Sequence, residues 1–111
     1  MKIAITTQGT EATSKIDPRF GRTSYIRVID TETDEVTLID NRDTASDGHG
    51  AGPKTAQRML ETGAQVLITG NGPGGNAAAV LEKRGIKVLT GAQNLTVEEA
   101  LNAYHEKSLK T

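Results

Sequence analysis

The chain contains no cysteine and no tryptophan, and aromatic residues make up only 3% of its 111 positions. Without thiols, neither a disulfide framework nor a thiolate-held metal centre can be built within the chain, so a soft metal would need other ligands. The shortage of rings throws the core onto Ile, Val, Leu and Ala and leaves few platforms on which bases could stack. A surplus of either charge is also lacking. Thirteen basic and 14 acidic residues give a formal net charge of -1 and are spread along the chain. That distribution excludes the electrostatic footprint of a nucleic-acid or anionic-membrane binder. No apolar run approaches the length of a membrane span, and the apolar part of Met1-Lys2-Ile3-Ala4-Ile5-Thr6 is far too short for the hydrophobic region of a signal peptide. Cytoplasmic residence is the expectation.

What is present reads as one α/β domain over residues 1–111, large enough to bury about two-thirds of the surface its unfolded chain exposes. Ile3 and Ile5 alternate with Lys2, Ala4 and Thr6, predicting a first strand that ends near Thr7. Tyr25 to Asp30 form a second strand. The turn chemistry of Asp30-Thr31-Glu32-Thr33-Asp34 leads into a third through Val36 and Leu38, so the two make an antiparallel hairpin. The polar stretch from Asn41 to Pro53, with Gly48, Gly50 and Gly52, suggests a mobile loop running into a helix whose first turn suits Pro53. Ala56, Met59 and Leu60 continue that helix, and Gly63 stops it. Gln65 to Thr69 read as a buried strand. Ala77, Val80 and Leu81 mark a second helix stopped by Gly85, and Ile86 to Leu89 a fifth strand. Thr96-Val97-Glu98-Glu99 has the spacing of a capping box, opening a third helix with Val97, Ala100, Leu101 and Tyr104 on one face.

Right-handed crossovers place the last two strands parallel to the first. The expected architecture is therefore a five-stranded mixed sheet, ordered 3-2-1-4-5 with strand 2 antiparallel and flanked by three helices, which is the ribonuclease H-like topology. In open α/β sheets ligands collect beyond the carboxyl ends of the parallel strands, here the loops after Thr6, Thr69 and Leu89. The middle loop, Gly70-Asn71-Gly72-Pro73-Gly74-Gly75, follows a strand and opens a helix at Asn76, where unpaired backbone N–H groups favour an anion. An equally simple account gives these glycines only a tight turn and close strand–helix packing. A dinucleotide fingerprint fails because Leu89-Thr90-Gly91 stands where an acidic residue is needed, and a Walker A motif fails because Asn76 replaces its lysine. Nuclease chemistry would need clustered carboxylates, normally including one on the first strand, and residues 2–8 contain none. Nor does a nucleophile motif occur. The reading is a binding protein rather than an enzyme.

Asp17-Pro18-Arg19-Phe20-Gly21-Arg22 sets two guanidinium groups around an aromatic and a glycine. The segment suits a structural turn with Phe20 in the core and Arg19, with Arg22 beside it, directed at an anion. His49, between Gly48 and Gly50, could swing its imidazole toward the same face and ligate a metal, although a lone histidine in a polar loop is more often an exposed residue. His105, near the end of the last helix, suits the helix carboxyl end.

These segments together resemble the dinitrogenase iron-molybdenum cofactor biosynthesis family. The resemblance is carried by the Met-Lys-Ile-Ala-Ile strand, Asp17 to Arg22, Gly50-Ala51-Gly52-Pro53, Thr69-Gly70-Asn71-Gly72-Pro73 with Asn76-Ala77, and Gly85-Ile86-Lys87-Val88, which occur in the family's order over nearly the whole chain. It implies a ribonuclease H-like carrier that transiently holds an iron-sulfur or iron-molybdenum cluster, or a precursor, beside cofactor-assembly proteins. Arg19, Phe20, Gly21, Arg22, His49, Gly70, Asn71, Gly72, Gly74, Gly75 and Asn76 are its expected binding residues, with His49 the metal ligand. Nitrogenase-associated members commonly carry a histidine before the Phe-Gly pair, where this chain has Arg19. A protein-interaction module in metallocofactor or redox metabolism, and a binder of a small anion or nucleotide, remain the alternative readings.

Overall fold

The computed structural model describes residues 1–45 and 51–110. Its sheet is built from β1 (Lys2–Thr7), β2 (Tyr25–Asp30), β3 (Val36–Asp40), β4 (Val66–Ile68) and β5 (Lys87–Leu89), in the order β3-β2-β1-β4-β5. β1 runs antiparallel to β2, with Ile5 opposite Arg27, and parallel to β4, with Ile5 opposite Ile68. β5 continues the parallel half. The expected topology is the observed one.

The alternation along β1 explains the layering, because successive side chains leave a strand on opposite faces. Ala4 joins Phe20, Ile26, Val28, Met59, Leu67 and Leu81 in one core, beneath α2 (Ala51–Glu61) and α3 (Gly75–Lys83). Ile3 and Ile5 join Ile16, Val66, Ile68, Leu89, Val97 and Ala100 in a second core, beneath α4 (Val97–His105). β1 is buried on both faces from Ile3 onward, as its place at the centre of the sheet requires. The edge strand β3 leaves Val36 and Leu38 exposed.

α4 begins with the predicted capping box: the Glu99 amide donates to Thr96 Oγ1 at 3.2 Å, and the Thr96 amide to Glu99 Oε1 at 2.9 Å. Hydrogen bonding from Thr96, its amide foremost, lowers the Glu99 pKa from its ordinary value.

Residues 41–53 depart from the expected loop in two places. A fourth helix, the single turn α1 (Arg42–Ala45), follows β3 directly, and α2 starts at Ala51, two residues ahead of Pro53. Local and tertiary bonds both hold the short turn. The Asp40 carboxylate accepts the Arg42 amide and guanidinium, and the Asp43 carboxylate takes both Nη atoms of Arg58, on α2, at 2.8 Å. Arg58 also donates to Asn41 Oδ1 at 2.7 Å. The remainder of the expected loop lies outside the described residues. Among the described residues no helix is long and apolar enough to cross a membrane.

Candidate functional site

The parallel strands β1, β4 and β5 end at one side of the sheet, and three segments meet there: residues 17–22, residues 69–76 and the start of α2. Two buried threonines join them at the base. Thr6 Oγ1 donates to the Asp17 carbonyl at 2.9 Å and lies 2.8 Å from Thr69 Oγ1. A hydroxyl has one proton to give, so Thr69 is the donor of that pair. The Asp17 amide returns a bond to the Thr6 carbonyl at 2.9 Å, fixing the 17–22 segment to the end of β1.

The Asp17 side chain is wholly buried and works as a hub. Its Oδ1 accepts from the Arg19 amide and Nε at 3.0 and 3.1 Å. Its Oδ2 accepts from Arg19 Nη2 and the Ser24 amide at 3.3 and 3.1 Å. The Arg19 side chain stays 57% exposed, so one edge of its guanidinium is held from below while the rest faces solvent. The hydrogen bonds and charge of Asp17 push the Arg19 pKa above its ordinary value. Phe20 turns the other way, into the core beneath α2 and α3, where it is 2% exposed. It supports the loop, and its ring faces protein rather than the open side. Arg22 is half-buried within the protein's own interactions.

Gly21 and Gly70 are the points of closest approach. A Cβ on Gly21 would lie 3.0 Å from the Gly52 amide nitrogen, so the 17–22 segment packs on the α2 N-terminus. Thr55 Oγ1, itself accepting from Asn41 Nδ2 at 3.0 Å, donates to the Gly21 carbonyl at 2.7 Å. A Cβ on Gly70 would lie 2.5 Å from Pro18 Cα, a distance real side chains do not show. The Asn71 amide bonds the Pro18 carbonyl at 2.9 Å, and the Gly91 amide bonds the Gly70 carbonyl at 2.9 Å. Gly72 sits at φ +90, in the left-handed region that favours glycine. Asn71, Gly74, Gly75 and Asn76 are exposed. Gly74 is the N-cap of α3 and offers no side-chain cap, so among the described residues the first-turn amides have no side-chain capping bond.

The structure thus gathers Arg19, Gly21, Gly70, Asn71, Gly72, Gly74, Gly75 and Asn76 at one end of the sheet. His49 with its flanking glycines lies outside the described residues. Among the described residues no three His, Cys, Asp or Glu side chains are grouped to hold a metal ion. From the sequence Asp17 reads only as part of a structural turn, and the side chains of Thr6, Thr69, Thr55 and Asn41 are given no part in the site. The available signal was the Asp-x-Arg spacing, together with threonines placed where two parallel strands end.

Fold and site together define an α/β domain of ribonuclease H-like topology with a glycine-rich face at the carboxyl ends of its parallel strands. The chain belongs to the dinitrogenase iron-molybdenum cofactor family, whose profile matches residues 1–107. The apo form of the orange protein from Desulfovibrio gigas is 34% identical with a TM-score of 0.91, over 99% of this chain and 91% of that one. A candidate NifB protein from Thermotoga, solved by NMR, is 35% identical with a TM-score of 0.84, over 98% of this chain and 90% of that one. No curated protein matches the chain.

Proposed function

We propose that the chain is a non-catalytic carrier for an iron-sulfur or iron-molybdenum cluster, or an anionic precursor of one, in metallocofactor assembly. One observation carries this reading. The fusion of the 17–22 and 70–76 segments at Pro18 and Gly70 puts a fixed, half-exposed guanidinium and an uncapped helix N-terminus on the same face. Both favour negative charge. Family membership supports a cofactor-related cargo, as does the likeness to a protein known in an apo form.

The chemistry suits transient holding. Helix-end electrostatics supply only about 0.3–1 kcal/mol, and Asp17 offsets part of the Arg19 charge, so retention is moderate and release is easy. An exchangeable ligand from His49, two positions before Ala51 in the sequence, would add the soft coordination that the glycine face cannot provide. Cofactor-assembly proteins are the expected partners for loading and unloading.

Anaerobic titration with a molybdenum-iron-sulfur precursor, followed by its visible absorption, tests the reading. The wild type should bind, and an Arg19→Ala/His49→Ala double variant should bind more weakly. Equal binding by the two would remove the proposed site.

A further inference from the structure

A second recess lies away from this face, at the β5 edge of the sheet. It measures about 440 Å³ and is lined by Lys87, Leu89, Tyr104, His105, Lys107 and Leu109, within the usual range of small-molecule sites. Its shape follows from how the chain ends. α4 stops at His105, Lys107 takes φ +59, and the segment turns back so that Lys110 bridges Thr90. Tyr104 and Leu109 pack against the second core, where Leu89 is buried. These three make an apolar floor beneath a rim of basic groups.

Among the described residues every ionisable lining group except the Tyr104 phenol is a base, and no carboxylate lines the recess. Three arginines elsewhere are matched to carboxylates, Arg19 to Asp17, Arg42 to Asp40 and Arg58 to Asp43. Among the described residues the ammonium groups of Lys87 and Lys107 have neither an ion pair nor a hydrogen bond. Nor do they serve the α4 carboxyl end, where cations are commonly useful. Its carbonyls at Asn102, Ala103 and Tyr104 accept from the amides of Glu106, Ser108 and Lys107. The negative end of the helix is therefore satisfied by backbone, and the lysines are left facing the recess.

We propose that this recess binds a small amphiphilic anion, a carboxylate, sulfonate or phosphate on an apolar or aromatic body. Lys87 and Lys107 pair with the anion, and Leu89, Tyr104 and Leu109 receive the body. His105, whose ring meets Tyr104 edge-on at 5.4 Å, holds the aromatic wall in place. The site is independent of the cluster-carrier reading and uses none of its residues.

Naphthalene sulfonate is a suitable probe, with amide chemical shifts mapped by NMR on the intact chain. Shifts should gather at residues 87–89 and 104–109. A Lys87→Gln/Lys107→Gln variant should bind about tenfold more weakly, a Lys83→Gln variant, on α3 outside both sites, as the wild type does, and inorganic sulfate far less than the sulfonate. Both lysines are exposed, so circular dichroism of the double variant should match the wild type. Shifts centred elsewhere, unchanged affinity in the double variant, or sulfate binding as tightly as the sulfonate would each overturn the proposal.

Discussion

Asp17 shows how much one buried carboxylate can organise. Four donors converge on it, two of them backbone amides that have no other partner in the loop. Replacing it with alanine should cost about 1–3 kcal/mol, because the Arg19 and Ser24 amides lose their acceptor in a part-buried loop. Urea denaturation would measure that loss, and the freed Arg19 would weaken cargo binding in the same variant. Gly70 makes the complementary case. An added Cβ at 2.5 Å from Pro18 Cα meets backbone, which cannot rotate aside. Gly70→Ala should therefore destabilise by about 1–3 kcal/mol through overpacking and part the two segments that form the face. An unchanged urea midpoint would contradict the close approach. Neither effect was legible in the sequence, where Asp17 read as a turn residue and Gly70 as one member of a glycine run.

At the scale of elements, patterns confined to neighbouring residues were readable. The Thr96-x-x-Glu99 spacing gave the start of α4, and both reciprocal bonds are present. Thr96→Ala should cost about 1 kcal/mol of stability, measurable by the same denaturation. The α1 turn was not readable, because Asp43 is held by Arg58, fifteen positions away on α2. Its pH dependence follows from two carboxylates. Asp40 is lowered to about 2, chiefly by its hydrogen bond to the Arg42 guanidinium, and Asp43 is held lower still by Arg58. Folded-state pKa values below the unfolded ones give a contribution that is present above about pH 4 and lost as pH falls toward about 2. The wild-type Tm should fall over that window, and an Asp43→Asn variant should show a shallower decline. Both pairs are exposed, so added salt should reduce the effect.

At the scale of the whole molecule, folding joins separate stretches of chain into one face, so a cargo held there, as proposed, should stabilise the fold as a unit. Free ligand at a hundred times its Kd adds about 2.7 kcal/mol, which for a domain of this size raises the Tm on the order of 10 °C. An anaerobic thermal scan with the molybdenum-iron-sulfur precursor would show this rise, and an Arg19→Ala variant should show less of it.

Sequence alone determined the strands, the three longer helices and the 3-2-1-4-5 order, because period-two and period-3.6 patterns, glycine stops and handed crossovers are properties of local chain and of chirality. It also placed the glycine loop at the strand ends. The inward Phe20 and outward Arg19 were expected from it as well. Only the tertiary structure decided what holds that face together: the Asp17 hub grips Arg19, Thr6 and Thr69 join the strand ends, and contact with Pro18 fixes Gly70. Each depends on side chains meeting across loops that no sequence period relates.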